Sequence, residues 1–250
     1  MRHLVMIAGA AIAAASALLA SARPARAQTG LSAGVEAATD EARRGISWSE
    51  NRAALSADAA AGFGPVDASA RVVTLRGSSR HGDADTVADI ALGTGWDLGA
   101  IRVRAGGTAH LFSGARGKMD YGEVGASAGF TFGPLQVTGG ADYAPSQDAI
   151  GGDNLFVYAA ANAGVPGTPF TVVADIGRSS GDADDPVRAQ RLRPGGNYSN
   201  WRLGVEHRTG PLTLAIDYVG TDIDRRDAFG PFADARHAGD RIIGRVRFGL

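Results

Sequence analysis

The sequence contains no cysteine and a single lysine, Lys118. The first absence excludes disulfides, zinc–thiolate centres and a lipid-anchored N-terminal cysteine. It also suits a chain that crosses an oxidising compartment before it folds. No charge sign dominates: 25 Lys and Arg stand against 26 Asp and Glu. Loss of Arg2, Arg23 and Arg26 with a leader would leave a slightly acidic remainder, which argues against nucleic acid as a partner. After Gln28, charges interrupt every window of about twenty residues, the apolar length that a spanning helix needs. Strand-built membrane proteins stay open, because only every second residue of such a strand meets lipid.

What is present begins with an address. Arg2 and His3 precede the uncharged stretch from Leu4 to Ala22, and Ala25-Arg26-Ala27 supplies a small-x-small site. This pattern predicts a signal peptide over residues 1–27, a start near Gln28, and export. Beyond it, the 36 glycines suit sharp turns and closely packed strands. Gly64-Pro65, Gly133-Pro134 and Gly210-Pro211 each close one alternating segment and open the next. Leu98-Gly99-Ala100 and Val165-Pro166-Gly167 do the same between them. The intervening connections are longer and polar. Short turns on one side and long loops on the other are the layout of an outer-membrane β-barrel.

Alternation supports that reading. Ile101, Val103, Ala105, Ala109 and Leu111 share one parity, and Arg102, Arg104, Thr108 and His110 the other. The segment 121–132 sets Val124, Ala126, Ala128, Phe130 and Phe132 against Glu123, Ser127 and Thr131. The last sets Ile242, Val246, Phe248 and Leu250 against Arg241, Arg245 and Arg247. The expected architecture is all-β: a transmembrane antiparallel up-and-down barrel of about twelve strands. The strands are placed at 31–43, 51–63, 66–77, 85–98, 101–112, 121–132, 135–145, 153–164, 170–179, 200–209, 212–223 and 239–250, and residues 28–250 form one domain. Short turns would be periplasmic. The loops at 44–50, 78–84, 113–120, 146–152, 180–199 and 224–238 would be extracellular. The last two are the longest, and so the best candidates to fold into or over a pore.

Aromatics and charges fit a bilayer. Phe63, Trp96, Phe132 and Phe170 fall beside the short turns, and Phe112, Tyr143, Trp201 and Tyr218 towards the long loops, as two girdles. A mid-membrane arginine on the lipid face costs about 2–4 kcal/mol, so strand charges should keep one parity. Arg71, Asp89, Glu123, Asp142, Asp175, Glu206 and Asp217 do, together with the strand arginines. His207 breaks parity beside a turn.

The run Asp40-Glu41-Ala42-Arg43-Arg44-Gly45-Ile46-Ser47-Trp48-Ser49 resembles a motif of the TorF-like family of porins. Arg44, Gly45, Ile46 and Ser47 carry the match. Glu41, Ala42 and Arg43 stand where that family usually has aromatics, and Ala53-Ala54-Leu55-Ser56 replaces its usual second-strand pattern of Pro, a small residue and paired glycines. The resemblance implies an exported outer-membrane barrel of unproven substrate. The ending Arg245-Val246-Arg247-Phe248-Gly249-Leu250 resembles the assembly signal of outer-membrane proteins, with Leu in place of the usual terminal aromatic.

A porin reading rests on inward charge. Arg102, Arg104, Arg202, Arg208, Arg241, Arg245 and Arg247 supply one sign, and Asp58, Asp89, Glu123, Asp142, Asp175 and Asp217 the other. Arginines on a pore wall bias it towards anions. The alternative is that these charges pair with one another and plug the barrel, leaving a structural or adhesive protein. A hydrolase would need a nucleophile and a base. His81, His110, His207 and His237 sit in no G-x-S-x-G or H-E-x-x-H motif, so no catalytic residue is assigned. Asp182, Asp184 and Asp185 lack calcium-loop spacing, and no metal or cofactor is expected. The expected partners are outer-membrane lipid and lipopolysaccharide, periplasmic chaperones and the barrel-assembly machinery, and small hydrophilic solutes.

Overall fold

Alternating strands need partners on both edges, and here the sheet finds them by closing on itself. A computed structural model describes residues 30–250; the expected signal peptide lies outside the described residues. The strands are β1 (Leu31–Ala38), β2 (Ala42–Arg43), β3 (Ile46–Ser47), β4 (Ala54–Phe63), β5 (Val66–Ser78), β6 (Ala84–Leu98) and β7 (Ile101–Ser113). They continue with β8 (Tyr121–Phe132), β9 (Leu135–Gln147), β10 (Gly152–Gly164), β11 (Phe170–Ser180), β12 (Tyr198–Thr209), β13 (Leu212–Thr221) and β14 (Arg241–Gly249). All but β2 and β3 form one closed antiparallel barrel in chain order. β14 returns to β1, with Val35 opposite Phe248 and Ala37 opposite Val246. Closure removes the free edges that an open sheet exposes to aggregation.

The twelve expected wall strands are all present. The main departure is at the start. The expected first strand, 31–43, ends at Ala38, and the second begins at Ala54 rather than 51. The first long connection is therefore 39–53, not 44–50. It contains β2 and β3, which pair only with each other (Ala42 opposite Ser47, Arg43 opposite Ile46). Elsewhere ends differ by one or two residues. A one-turn helix, α1 (Pro186–Ala189), lies in the loop after β11 and is capped by Asp185, whose Oδ1 accepts from the amides of Val187 and Arg188.

The two wall faces differ as parity requires. Outward positions carry exposed apolar side chains such as Leu92, Leu203, Ile216 and Ile242. A continuous apolar exterior of this extent marks a surface made for lipid or a partner rather than water. Phe63, Trp96, Phe132 and Phe170 form the aromatic row at the short-turn rim, and Tyr143 and Tyr218 are exposed towards the other end. His207 points outward against Phe170, ring centroids 5.0 Å apart. Phe112 corrects an expectation. Its parity matches His110, so it faces inward, where it packs against a buried cluster that includes Trp48, Leu75, Val87, Tyr121, Ile150 and Leu192. A twelve-stranded interior lies between the eight-stranded case, filled by wall side chains, and the sixteen-stranded case, which leaves an open channel. At the long-loop end, loop residues such as Trp48, Ile150 and Leu192 complete the filling.

Candidate functional site

The connection 39–53 turns inward because its own chemistry folds it back. Arg44 and Gly45 both have positive φ, 50° and 75°. Two such residues in succession make the tight hairpin turn that joins β2 to β3. A Cβ on Gly45 would stand 2.5 Å from Thr221 Cγ2 and 2.7 Å from the Gly220 carbonyl oxygen, so the turn seats against the inside of β13. Asp40 locks the base of the hairpin: its Oδ1 accepts from the hydroxyls of Ser47 (2.5 Å) and Ser49 (2.9 Å). Its Oδ2 accepts from Arg241 Nε at 2.7 Å, and Arg241 also donates to the Gly45 carbonyl at 3.0 Å. Ile46 is buried with Tyr198 and Ala238. The motif noted in the sequence is thus a lumenal hairpin, and each of its conspicuous residues has a contact that holds it there.

From this position the hairpin's arginines reach the opposite wall. Arg43 lies 2.8 Å from Asp89 and 2.9 Å from Glu41. Arg44 lies 2.8 Å from Glu123 and 3.5 Å from Asp142, with its guanidinium 4.4 Å from the Phe156 ring centroid. His110 stands between the two wall carboxylates, Nδ1 2.7 Å from Asp89 and Nε2 3.4 Å from Glu123. Glu41 also takes Arg71 at 2.7 Å. Burial pushes the Glu41 carboxyl up, but Arg43 and Arg71 outweigh it and hold it below the ordinary range.

A second lattice centres on Asp217, of which 2% is exposed. Its two oxygens accept from Arg202 Nε (2.8 Å) and Arg245 Nε (2.7 Å). Arg245 continues to Glu206 at 3.0 Å and Glu36 at 3.3 Å, and Asp175 lies 3.8 Å from Arg202. Arg247 holds Asp58 at 2.5 Å. Nearer the short-turn rim the pairs are sparser and wetter: Arg102 with Asp97 at 3.3 Å and Arg104 with Asp67 at 2.6 Å. Arg208 is exposed near the same rim. Of the thirteen charges that parity placed inward, ten lie in these ion-paired networks, and Arg102, Arg104 and Arg208 lie nearer the rim. Arg43, Arg44 and Glu41 were not among those expected, because a loop's parity says nothing about whether it turns in. The available hint was the Arg-Gly pair between two short alternating segments.

Above the hairpin the other loops form a cap. Arg80, 1% exposed, donates to the carbonyl of Arg191 at 3.0 Å and also to those of Gln190, Phe232 and Asp234, tying loops 181–197 and 222–240 to the β5–β6 connection. Arg191 donates to the carbonyls of Met119 (2.7 Å) and Ala149 (3.0 Å) and to His81 Nδ1 (3.1 Å). His81 is fully buried, 4.2 Å from the Trp48 ring centroid and 4.9 Å from that of Phe112. Burial, with Arg191 and Arg80 beside it, holds His81 far below the usual imidazole range and keeps it neutral. The two longest loops, expected to fold into or over a pore, do form the cap. The deepest insertion belongs to the shorter first loop.

An apolar belt outside, a charged interior and a closed twelve-stranded wall define a β-barrel of the outer-membrane type. The chain belongs to the Gcw_chp family, bacterial proteins of unknown function, whose model matches residues 22–241. Among solved structures, the KdgM porin shares the fold with TM-score 0.54 and 6% identity, over 87% of this chain and 96% of that one. The outer-membrane channel from Pseudomonas putida F1 aligns with TM-score 0.53 and 12% identity, over 92% and 99%. No curated protein matches the chain.

Proposed function

We propose that the protein is an outer-membrane channel for small hydrophilic solutes, closed in this conformation by its first loop and cap. The observation that carries the reading is the nature of the closure. The β2–β3 hairpin is held across the lumen chiefly by ion pairs and hydrogen bonds, Arg43 to Asp89 and Arg44 to Glu123. Such contacts exchange with water and solute, unlike a continuous apolar plug. In this reading the short turns lie at the periplasmic face, the long loops lie outside, and the apolar belt meets lipid. The run from Asp40 to Ser49 adds the resemblance to TorF-like porins. The channel folds of the solved neighbours are consistent with it.

Selectivity falls to the half-exposed rim arginines Arg102 and Arg104, with Arg208, which give a modest preference for anions. The deeper charges of both signs compensate one another and define the wall. A hydrolase is disfavoured by His110, whose two nitrogens both face carboxylates and leave none for a hydroxyl.

The competing reading is a permanently plugged structural barrel. It draws on the buried cluster around Trp48, which seals the long-loop end. Conductance in planar bilayers separates the two. The channel reading expects small, fluctuating openings in the wild type and a larger steady conductance when residues 40–49 are replaced by a short Gly/Ser linker. A silent wild type together with a silent, folded loop variant would overturn it.

A further inference from the structure

Buried charges in proteins are normally paired, because stripping water from an ion costs several kcal/mol. The buried lumenal arginines of this barrel obey that rule, and three arginines of the cap, Arg80, Arg191 and Arg193, do not. Among the described residues none of the three has a carboxylate within ion-pair distance; all donate to carbonyls, and Arg191 also lies over the Phe112 and Tyr121 rings, 4.5 and 5.4 Å from their centroids. Arg80 and Arg193 engage both terminal nitrogens, Arg80 keeping only Nε without a partner, whereas Arg191 has the terminal Nη2 left with none, although only 1% of the residue is exposed.

Arg191 lines a cavity of about 150 Å³ between the cap and the hairpin. Arg43, Arg44, Trp48, Tyr121 and Tyr198 make up much of the remaining wall. Glu123 is the one carboxylate on that wall, and it is held by Arg44 at 2.8 Å and by His110 at 3.4 Å. Of the three guanidinium groups on the wall, Arg43 and Arg44 are each matched by two carboxylates, and Arg191 alone is matched by none. A space of this size is enough for a benzene-sized guest. A guanidinium is the side chain best shaped to take a planar carboxylate through two parallel N–H bonds. Aromatic walls keep the site dry enough for that attraction to count.

We propose that this cavity is a binding site for a small monocarboxylate of about acetate size, which serves as the missing counter-ion of Arg191. Arg191 is the principal ligand through Nη2, and the aromatic walls set the size limit. The bound anion ties loop 181–197 to the hairpin and so strengthens the cap. The site stands on the cavity and its unmatched charge, whether or not the lumen conducts.

The test uses the refolded full barrel with Trp96 and Trp201 replaced by Phe, so that Trp48, on the cavity wall, is the sole fluorophore. Sodium acetate is titrated at constant ionic strength, and sodium gluconate, too bulky for the space, is the control. The expected result is a saturable change in Trp48 emission with acetate and none with gluconate. Arg191→Gln should weaken acetate binding at least tenfold. Leu192→Phe, which fills the cavity while keeping the arginine, should abolish it. If one of these variants does not fold, the other decides. An unsaturable wild-type response, an equal response to gluconate, or unchanged binding in a folded variant would overturn the proposal.

Discussion

Arg245 and Arg104 lie on the inner face of the same sheet, yet their surroundings differ. Arg245 shares Asp217 with Arg202 and reaches Glu206 and Glu36 as well. Arg104 meets Asp67 alone and is half exposed, as Arg102 is beside Asp97. The contrast holds for the two regions as a whole. In the middle band and above it, arginines such as Arg43, Arg44 and Arg71 each touch two carboxylates, and a loop has been drawn in to supply partners. At the short-turn rim, single pairs stand in water. The difference teaches that one parity pattern serves two ends. Where water is scarce the inward charges become a structural lattice, and where water is plentiful they stand as single, half-exposed pairs.

Breaking the lattice at its centre should have the largest effect. Asp217→Ala strips two guanidiniums of their shared acceptor. Removing one partner from a buried pair costs about 3–5 kcal/mol, and urea unfolding of the barrel in vesicles should show a loss in that range. A loss no larger than that of a rim variant would erase the distinction between the regions.

The hairpin is the next point to press. Gly45→Val places a branched side chain at positive φ against Thr221 and Gly220. The strain, about 1–3 kcal/mol, should drive the turn off the wall while the barrel stays intact. The expected readout is raised bilayer conductance and faster proteolysis within 39–53, with unchanged heat-modified mobility on gels.

Acid should loosen the cap. His81 is neutral in the folded protein with its pKa depressed by burial and by Arg191 and Arg80, whereas the unfolded imidazole titrates near 6.5. Below that value the unfolded segment binds more protons than the folded one, so stability falls as pH falls. The slope approaches about 1.4 kcal/mol per pH unit for one proton. Above pH 7.5 the effect should vanish. Amide protection factors in 79–83 and 181–197, corrected for the pH dependence of intrinsic exchange, should fall between pH 6.5 and 5, and His81→Gln should flatten that dependence.

The smallest stability effect belongs to the rim. Arg104→Ala breaks an exposed pair worth less than about 1 kcal/mol, so unfolding should scarcely move. Its expected signature is functional, a reversal potential shifted away from anions. A large destabilisation with no change in selectivity would place Arg104 in the lattice after all.

Much of the barrel was legible from local chemistry. A strand's side-chain period is two, so the placement of Ile101, Val103 and Leu111 against Arg102, Arg104 and His110 already assigned the two faces. Gly-Pro turns, which suit little else, marked the short-turn rim. Inward charges such as Asp89, Glu123 and Asp217 followed from the cost of placing them in lipid. Phe112 was misplaced because its nearness to a loop was weighed above its parity.

The sequence by itself determined about twelve alternating strands and the two faces of each, because both follow from relations between near neighbours in the chain. Only the tertiary structure decided what those inward charges do. Arg43 meets Asp89 across 46 residues, and Arg44 meets Glu123 across 79. Whether the loop at 39–53 reaches out to water or folds in depends on charges brought opposite it by barrel closure, and no local pattern records that meeting.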